Sequence, residues 1–284
     1  MPGLLEGRAV VVTGAGRGLG RAYAAAAADA GAAVVVCDLD RDAAQDAAAV
    51  IRDVGGAAIA VAASVADPAT GGVLVERCVR EFGRMDGLVN NAGVLSAGAA
   101  VGQDAATVTD TLDVNVAGVI HCGVAALRHF AAHGGGTIVN VVSGALQGYP
   151  GLSLYGATKG AVMGLTYGWA LEAPDGVRVN AVSPLAQTAM SALNPDGSVP
   201  LGPAPGAVAP LVVYLLSPRS QRLNGQIVRF DGRHLGLIAP PAPNALQTAE
   251  EWDAAAIAAA FDGPLGDWLT PVGMQAAPRP VRLG

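Results

Sequence analysis

Lys159 is the only lysine in a chain whose lysines and arginines total 17. It follows Tyr155 by four residues, in Tyr155-Gly156-Ala157-Thr158-Lys159. On a helix that spacing puts both side chains on one face, one turn apart. A compact ammonium beside a phenol stabilises the phenolate and draws the phenol's pKa down. Arginine, a broad planar fork, is no substitute in that position. The chemistry on offer is general acid/base catalysis near neutral pH. A second constellation is Thr13-Gly14-Ala15-Gly16-Arg17-Gly18-Leu19-Gly20. Glycines there let the backbone approach a pyrophosphate, and a helix start supplies free N–H groups and positive potential. Asp38 stands 18 residues beyond Gly20. An acid at that distance accepts hydrogen bonds from ribose hydroxyls and repels a 2′-phosphate, which favours NAD over NADP. Arg17 is the residue that could greet a 2′-phosphate instead.

The elements that must position these groups alternate regularly. Short apolar runs at 8–13, 33–38, 57–62, 86–90, 136–142, 177–182 and 226–231 read as strands. Helical stretches fall near 18–30, 41–54, 67–82, 104–133, 155–173 and 207–217. Strands apolar on both faces and separated by helices describe a parallel sheet covered on both sides. The expectation is a single-domain α/β Rossmann fold, a doubly wound seven-stranded parallel sheet over residues 1–284. Its dinucleotide-binding core spans 5–235, followed by a C-terminal extension, 236–284, with one helix. Thr248 as N-cap and Glu251 three residues later predict where that helix starts, with Trp252, Ile257 and Phe261 on one packing stripe. Asp67-Pro68 reads as a helix start, and 185–206, rich in Pro and Gly, as a loop and mobile lid.

Composition narrows the function classes. The net charge of -6 leaves no basic footprint for nucleic acid. Only 14% of residues are charged and 52% are hydrophobic, much of that alanine. Charges such as Arg21, Asp29 and Asp38 interrupt each apolar stretch, so no charge-free run of spanning length exists and no membrane association is expected. The N-terminus enters a strand at once, without a charged-then-apolar leader. Three cysteines without paired spacing suggest reduced thiols and a cytoplasmic protein. His129 and His133 share a helical face, but no third ligand is apparent. They read as helix C-terminal caps, and no metal is expected.

Five ordered motifs across roughly 5–235 resemble the short-chain dehydrogenase/reductase family. They are the glycine turn, Asn90-Asn91-Ala92-Gly93, Asn115 in Leu112-Asp113-Val114-Asn115-Val116, Ser143 after Asn140-Val141-Val142, and the Tyr155/Lys159 pair. The resemblance implies a catalytic tetrad of Asn115, Ser143, Tyr155 and Lys159. In it Tyr155 is the general acid/base and Ser143 holds the substrate oxygen. Lys159 meets the nicotinamide ribose, and Asn115 holds a water that links the lysine to solvent. The implied cofactor contacts run through Gly14, Arg17, Gly18, Leu19 and Gly20, then Asp38, Leu39, Ser64 and Val65. They continue through Asn91, Ala92 and Gly93, Tyr155 and Lys159, to Pro184 and Thr188. A homodimer or homotetramer is also implied.

Three departures stand out. Ser143 precedes Tyr155 by 12 positions, one fewer than relatives usually have, so strict spacing would put Val142 at the serine position. Ser64-Val65 stands where relatives commonly have Asp-Val, and Pro184-Leu185 where the common pattern is Pro-Gly. The stretch Asn180–Met190 resembles the hydroxyacyl-CoA/steroid dehydrogenase subgroup that includes part of multifunctional enzyme type 2. The expected activity is therefore NAD(H)-dependent interconversion of a hydrophobic secondary alcohol and ketone. The alternatives are an NADPH-dependent 3-ketoacyl reductase and a catalytically silent nucleotide-binding regulator or scaffold.

Overall fold

Five residues, Ala9–Thr13, form β1, and all are buried. A strand with no polar face belongs inside a sheet covered on both sides. In a computed structural model of the chain, which describes residues 3–187, 202–243, 245–269 and 273, β1 lies there. It pairs in parallel with β2 (Ala33–Asp38) and β4 (Gly87–Asn90). With β3 (Ala58–Ala62), β5 (Gly136–Val141), β6 (Val177–Pro184), β7 (Ile227–Phe230) and β8 (Leu235–Ile238), the sheet order is β3-β2-β1-β4-β5-β6-β7-β8. The chain runs outward one way from β1 through β2 and the other way from β4. That reversal opens a crevice at the carboxyl ends of β1 and β4.

Two apolar cores cover the faces. One joins sheet residues such as Val10, Val34 and Val139 to Tyr23 of α1 (Gly18–Asp29), Ile51 of α2 (Arg41–Asp53) and Leu215 of α7 (Ala209–Leu216). The other buries Leu74 of α3 (Thr70–Phe82), Phe130 of α5 (Gly118–Ala132) and Trp169 of α6 (Ser153–Glu172). Between β4 and α5 lies α4 (Ala105–Leu112). Cys37, Cys78 and Cys122 are buried free thiols, each pushed up to about 12 by desolvation.

Several boundaries differ from the sequence expectation. The sheet has seven parallel strands plus an eighth, β8, antiparallel to β7. The reversal is made by Asp231-Gly232: the Asp231 carboxylate accepts from the amides of Arg233 and His234 at 2.9 and 2.6 Å, and Gly232 takes φ +84°. The helix expected over 104–133 is one run, but residues Asp113–Ala117 form a π turn between α4 and α5. Its 28 residues are long and apolar enough to cross a membrane, yet they carry Asp110, Asp113 and Arg128. Their buried face, Val119, Cys122, Ala126 and Phe130, packs into the second core. At the end of α5 the His133 ring nitrogen meets the His129 carbonyl at 2.8 Å. Asp67 does not start α3; it first closes a turn on the amide of Ala69 at 2.9 Å.

The chain forms two compact units, Met1–Ile238 and Ala239–Gly284. In the second, α8 (Ala254–Asp262) starts after Asp253, not Thr248. The Asp253 carboxylate accepts from the Ala256 amide at 2.7 Å, a charged cap closer to the alanine run than the threonine. Trp252 therefore precedes the helix, and Ile257 and Phe261 are exposed.

Candidate active site

The turn after β1 is tied to the turn after β4 by polar groups the sheet buries. Thr13 Oγ1 accepts from the amides of Asn91 and Ala92, both at 3.1 Å. Asn91 returns its side-chain amide to the carbonyls of Thr13 and Gly14 at 2.9 and 3.0 Å. The fit leaves no room for side chains: Gly14 takes φ +61°, and a Cβ on Gly20 would stand 2.0 Å from the Gly14 carbonyl oxygen. The next helix starts without a cap. Arg17, at its N-cap, makes no side-chain bond to the first turn, and no acid lies there. Asp40 and Asp104 cap α2 and α4. The uncapped amides of α1 thus fit the phosphates of a dinucleotide.

A cleft of about 390 Å³ opens along this edge. At one end the wall includes Arg17, Gly18, Leu19, Asp38 and Leu39. Asp38 Oδ2 accepts from the Gly16 amide at 2.8 Å and Oδ1 from the Asp40 amide at 3.1 Å, which fixes the carboxylate at the cleft's rim. Ser64 and Val65 form a side wall. They are held by Thr70, whose hydroxyl donates to the Ser64 carbonyl at 2.6 Å, and by the His121 ring, 3.2 Å from the Val65 carbonyl. Gly14, Gly20, Asn91, Ala92 and Gly93 form the floor, and Tyr155 and Lys159 close the far end.

The helix carrying that pair is pinned from within. Asn90 of β4 donates to the Asn140 side chain of β5 at 3.0 Å, and Asn140 donates to the Thr166 hydroxyl of α6 at 3.0 Å. A fully paired buried chain of this kind fixes one register. Lys159, 4% exposed, donates from Nζ to the Val141 carbonyl at 2.9 Å, and Nζ stands 5.5 Å from the Tyr155 ring centre. Burial without a carboxylate pulls its pKa down to about 8. The Ser143 hydroxyl lies near enough to the Tyr155 phenol to lower its pKa. Ser143 also accepts from the Ala145 amide at 3.2 Å, while Val142 is buried in the core. The shortened spacing therefore leaves Ser143, not Val142, beside the tyrosine.

Asn115 is wholly buried in the π turn. Its Oδ1 accepts from the Val94 amide at 2.7 Å, and its Nδ2 donates to the Val94 carbonyl and the Thr158 hydroxyl at 2.9 and 3.1 Å. A Cβ on Gly93 would sit 3.2 Å from Asn115 Oδ1 and 3.6 Å from Lys159 Nζ, so both polar ends flank one point of backbone. Tyr155 departs from expectation. Burial raises its pKa, and nearby Ser143 lowers it only in part. The protein alone, with Lys159 turned to a carbonyl, does not bring the phenol toward neutrality.

Asn115 and Ser143 are not among the residues that line the cleft; Asn115 is wholly buried and Ser143 half-buried, and Pro184 ends β6 opposite Phe230. Thr188 and most of the loop 185–206 lie outside the described residues. The sequence reading passed over Val94, Val114 and Val141, which also line the cleft. Val141 acts through its carbonyl, for which no residue type is a signal.

A family model described as short chain dehydrogenase matches residues 8–196. Cis-4-hydroxycyclohexanecarboxylate dehydrogenase of Sinomonas cyclohexanicum is 38% identical over 242 residues, 79% of this chain and 95% of that one. The 3-alpha-(or 20-beta)-hydroxysteroid dehydrogenase of Mycobacterium tuberculosis is 35% identical over 253 residues, covering 86% and 94%. A crystal structure of a short chain dehydrogenase from Mycobacterium avium superposes with a TM-score of 0.86 at 32% identity, covering 97% of this chain and all of that one. The chain belongs to the short chain dehydrogenase family. It is an oxidoreductase of a family that uses NAD(P).

Proposed function

We propose that the protein is an NAD(H)-dependent dehydrogenase interconverting a hydrophobic secondary alcohol and its ketone, with Tyr155 as general acid/base. The observation that carries this reading is the Tyr155/Lys159 pair, with Nζ 5.5 Å from the ring centre, lining the same cleft as the Asp38 carboxylate. Asp38 supports NAD over NADP, because a fixed carboxylate accepts from ribose hydroxyls and repels a 2′-phosphate. The valines lining the cleft, and the alicyclic and steroid substrates named for two relatives, support a hydrophobic alcohol.

The residues divide the work as follows. The amides at the start of α1 hold the phosphates, and Asp38 holds the adenosine ribose. The bound nicotinamide supplies the hydride acceptor or donor and, when oxidised, a positive charge. Ser143 donates to the substrate oxygen and stabilises the charge that grows there. Tyr155 Oη takes the alcohol proton during oxidation and returns it during reduction. Lys159 Nζ, held by the Val141 carbonyl, keeps an ammonium beside the tyrosine. Asn115, whose Oδ1 flanks the same point at Gly93, holds a water that would carry the proton onward from Lys159 to solvent. In this reading the protein is cytoplasmic and forms a homodimer or homotetramer.

Oxidation of simple secondary, steroid and 3-hydroxyacyl-CoA alcohols with NAD and with NADP in parallel tests the reading. Turnover is expected with NAD. Tyr155→Phe is expected to lower kcat by at least about 100-fold while NADH still binds by fluorescence titration. Equal turnover in the variant refutes the tyrosine's role, and a clear preference for NADP refutes the cofactor assignment.

A further inference from the structure

Arg17 is the only cation in the turn 13–20, and it borders the cleft near Asp38. Its guanidinium is paired with the Asp40 carboxylate. Asp40 uses its oxygens for separate tasks. Oδ1 accepts from the amides of Asp42 and Ala43, both at 3.1 Å, and so caps α2; Oδ2 takes Arg17. The Asp40 amide in turn donates to Asp38, whose other oxygen holds Gly16. One acid therefore braces the glycine turn through its backbone, and the next engages the turn's cation.

We infer that Asp40 is a specificity-determining residue for the dinucleotide, because it occupies the guanidinium that would otherwise pair with a 2′-phosphate. The inference rests on the NAD(H) reading above and adds a second element to it. Asp38 repels a 2′-phosphate by its charge, and Asp40 withdraws the group that would attract one. The pair is open to solvent, with Arg17 76% and Asp40 42% exposed. Exposed pairs of this kind are worth up to about a fivefold change in an equilibrium, so Asp40 adjusts the preference that Asp38 sets.

Asp40→Asn keeps an oxygen for the α2 cap and removes the charge that holds Arg17. The readout is calorimetric affinity for adenosine 2′,5′-bisphosphate relative to 5′-AMP, which needs no turnover. In Asp40→Asn the ratio is expected to move about fivefold toward the bisphosphate. In an Arg17→Ala background the same substitution should leave the ratio unchanged. An unchanged ratio in Asp40→Asn overturns the inference. So does an equal shift with and without Arg17, which would mean that only the lost negative charge mattered. Asp40→Ser, with a hydroxyl able to cap α2, repeats the test if the asparagine variant folds poorly. A wild-type protein that prefers the bisphosphate sinks this inference and the NAD(H) reading together. A wild type that prefers 5′-AMP with no Asp40–Arg17 coupling sinks this inference alone.

Discussion

Replacing Lys159 by methionine separates what the buried ammonium does for catalysis from what it does to the fold. Methionine matches the lysine stem in length and carries no charge. In the folded protein burial brings the Lys159 pKa down to about 8 from an ordinary 10.5. At 1.36 kcal/mol per unit, the folded state disfavours the charged form by about 3 kcal/mol relative to the unfolded chain. Below pH 8 that whole penalty bears on the wild type. Between pH 8 and 10.5 the folded chain has lost the proton while the unfolded chain keeps it, so wild-type stability rises with pH. Methionine titrates nowhere, but it leaves the Val141 carbonyl without its donor, at about 1–3 kcal/mol at every pH. The two effects nearly cancel at pH 7, and the wild type should gain about 3 kcal/mol on the variant by pH 10.5. The buried thiols and the other tyrosines are common to both proteins and cancel in the difference. Urea denaturation of both, without dinucleotide, at pH 7, 8.5 and 10 measures it. A difference constant to within about 0.5 kcal/mol across that range would refute the argument. Turnover should be lost in the variant at every pH.

Ser143→Ala should lower kcat by about 100-fold, the effect of removing one donor to a developing oxyanion, while leaving the melting temperature nearly unchanged. Because Ser143 lowers the Tyr155 pKa, its loss should also move the rising limb of the oxidation pH–rate profile to higher pH; an unmoved limb would detach serine from tyrosine. Gly20→Ala puts a methyl 2.0 Å from the Gly14 carbonyl oxygen and 2.5 Å from the Asn91 amide. It should destabilise the fold by about 1–3 kcal/mol and weaken NADH binding, as denaturation and fluorescence titration would report.

Much of the site was legible because its spacing rules are those of single elements. Tyr155 and Lys159 share a helical face, and the glycine turn lies between a strand and a helix that their periods announce. Ser143 was ambiguous by counting, and its nearness to Tyr155 together with the burial of Val142 favours it. The π turn at Asp113–Ala117 was not legible, because a slip in main-chain hydrogen bonding carries no residue signature. The partner of Lys159 escaped for the same reason: any residue at 141 offers a carbonyl. The strand β8 has only four residues, Leu-Gly-Leu-Ile, too short for its alternation to show. At α8, two capping signals competed, and the charged one nearer the alanine run prevailed.

The buried chain from Asn90 through Asn140 to Thr166 anchors α6 to the middle of the sheet rather than to the segment leading into it. The Tyr155/Lys159 pair thus takes its position from the sheet, and the stretch between Ser143 and Tyr155 adds a second contact where Gly156 meets the Ala145 carbonyl. Further along that stretch Gln147, Gly148, Pro150 and Gly151 are exposed. Substitutions at those four exposed positions should therefore leave the tyrosine and lysine in register with the sheet.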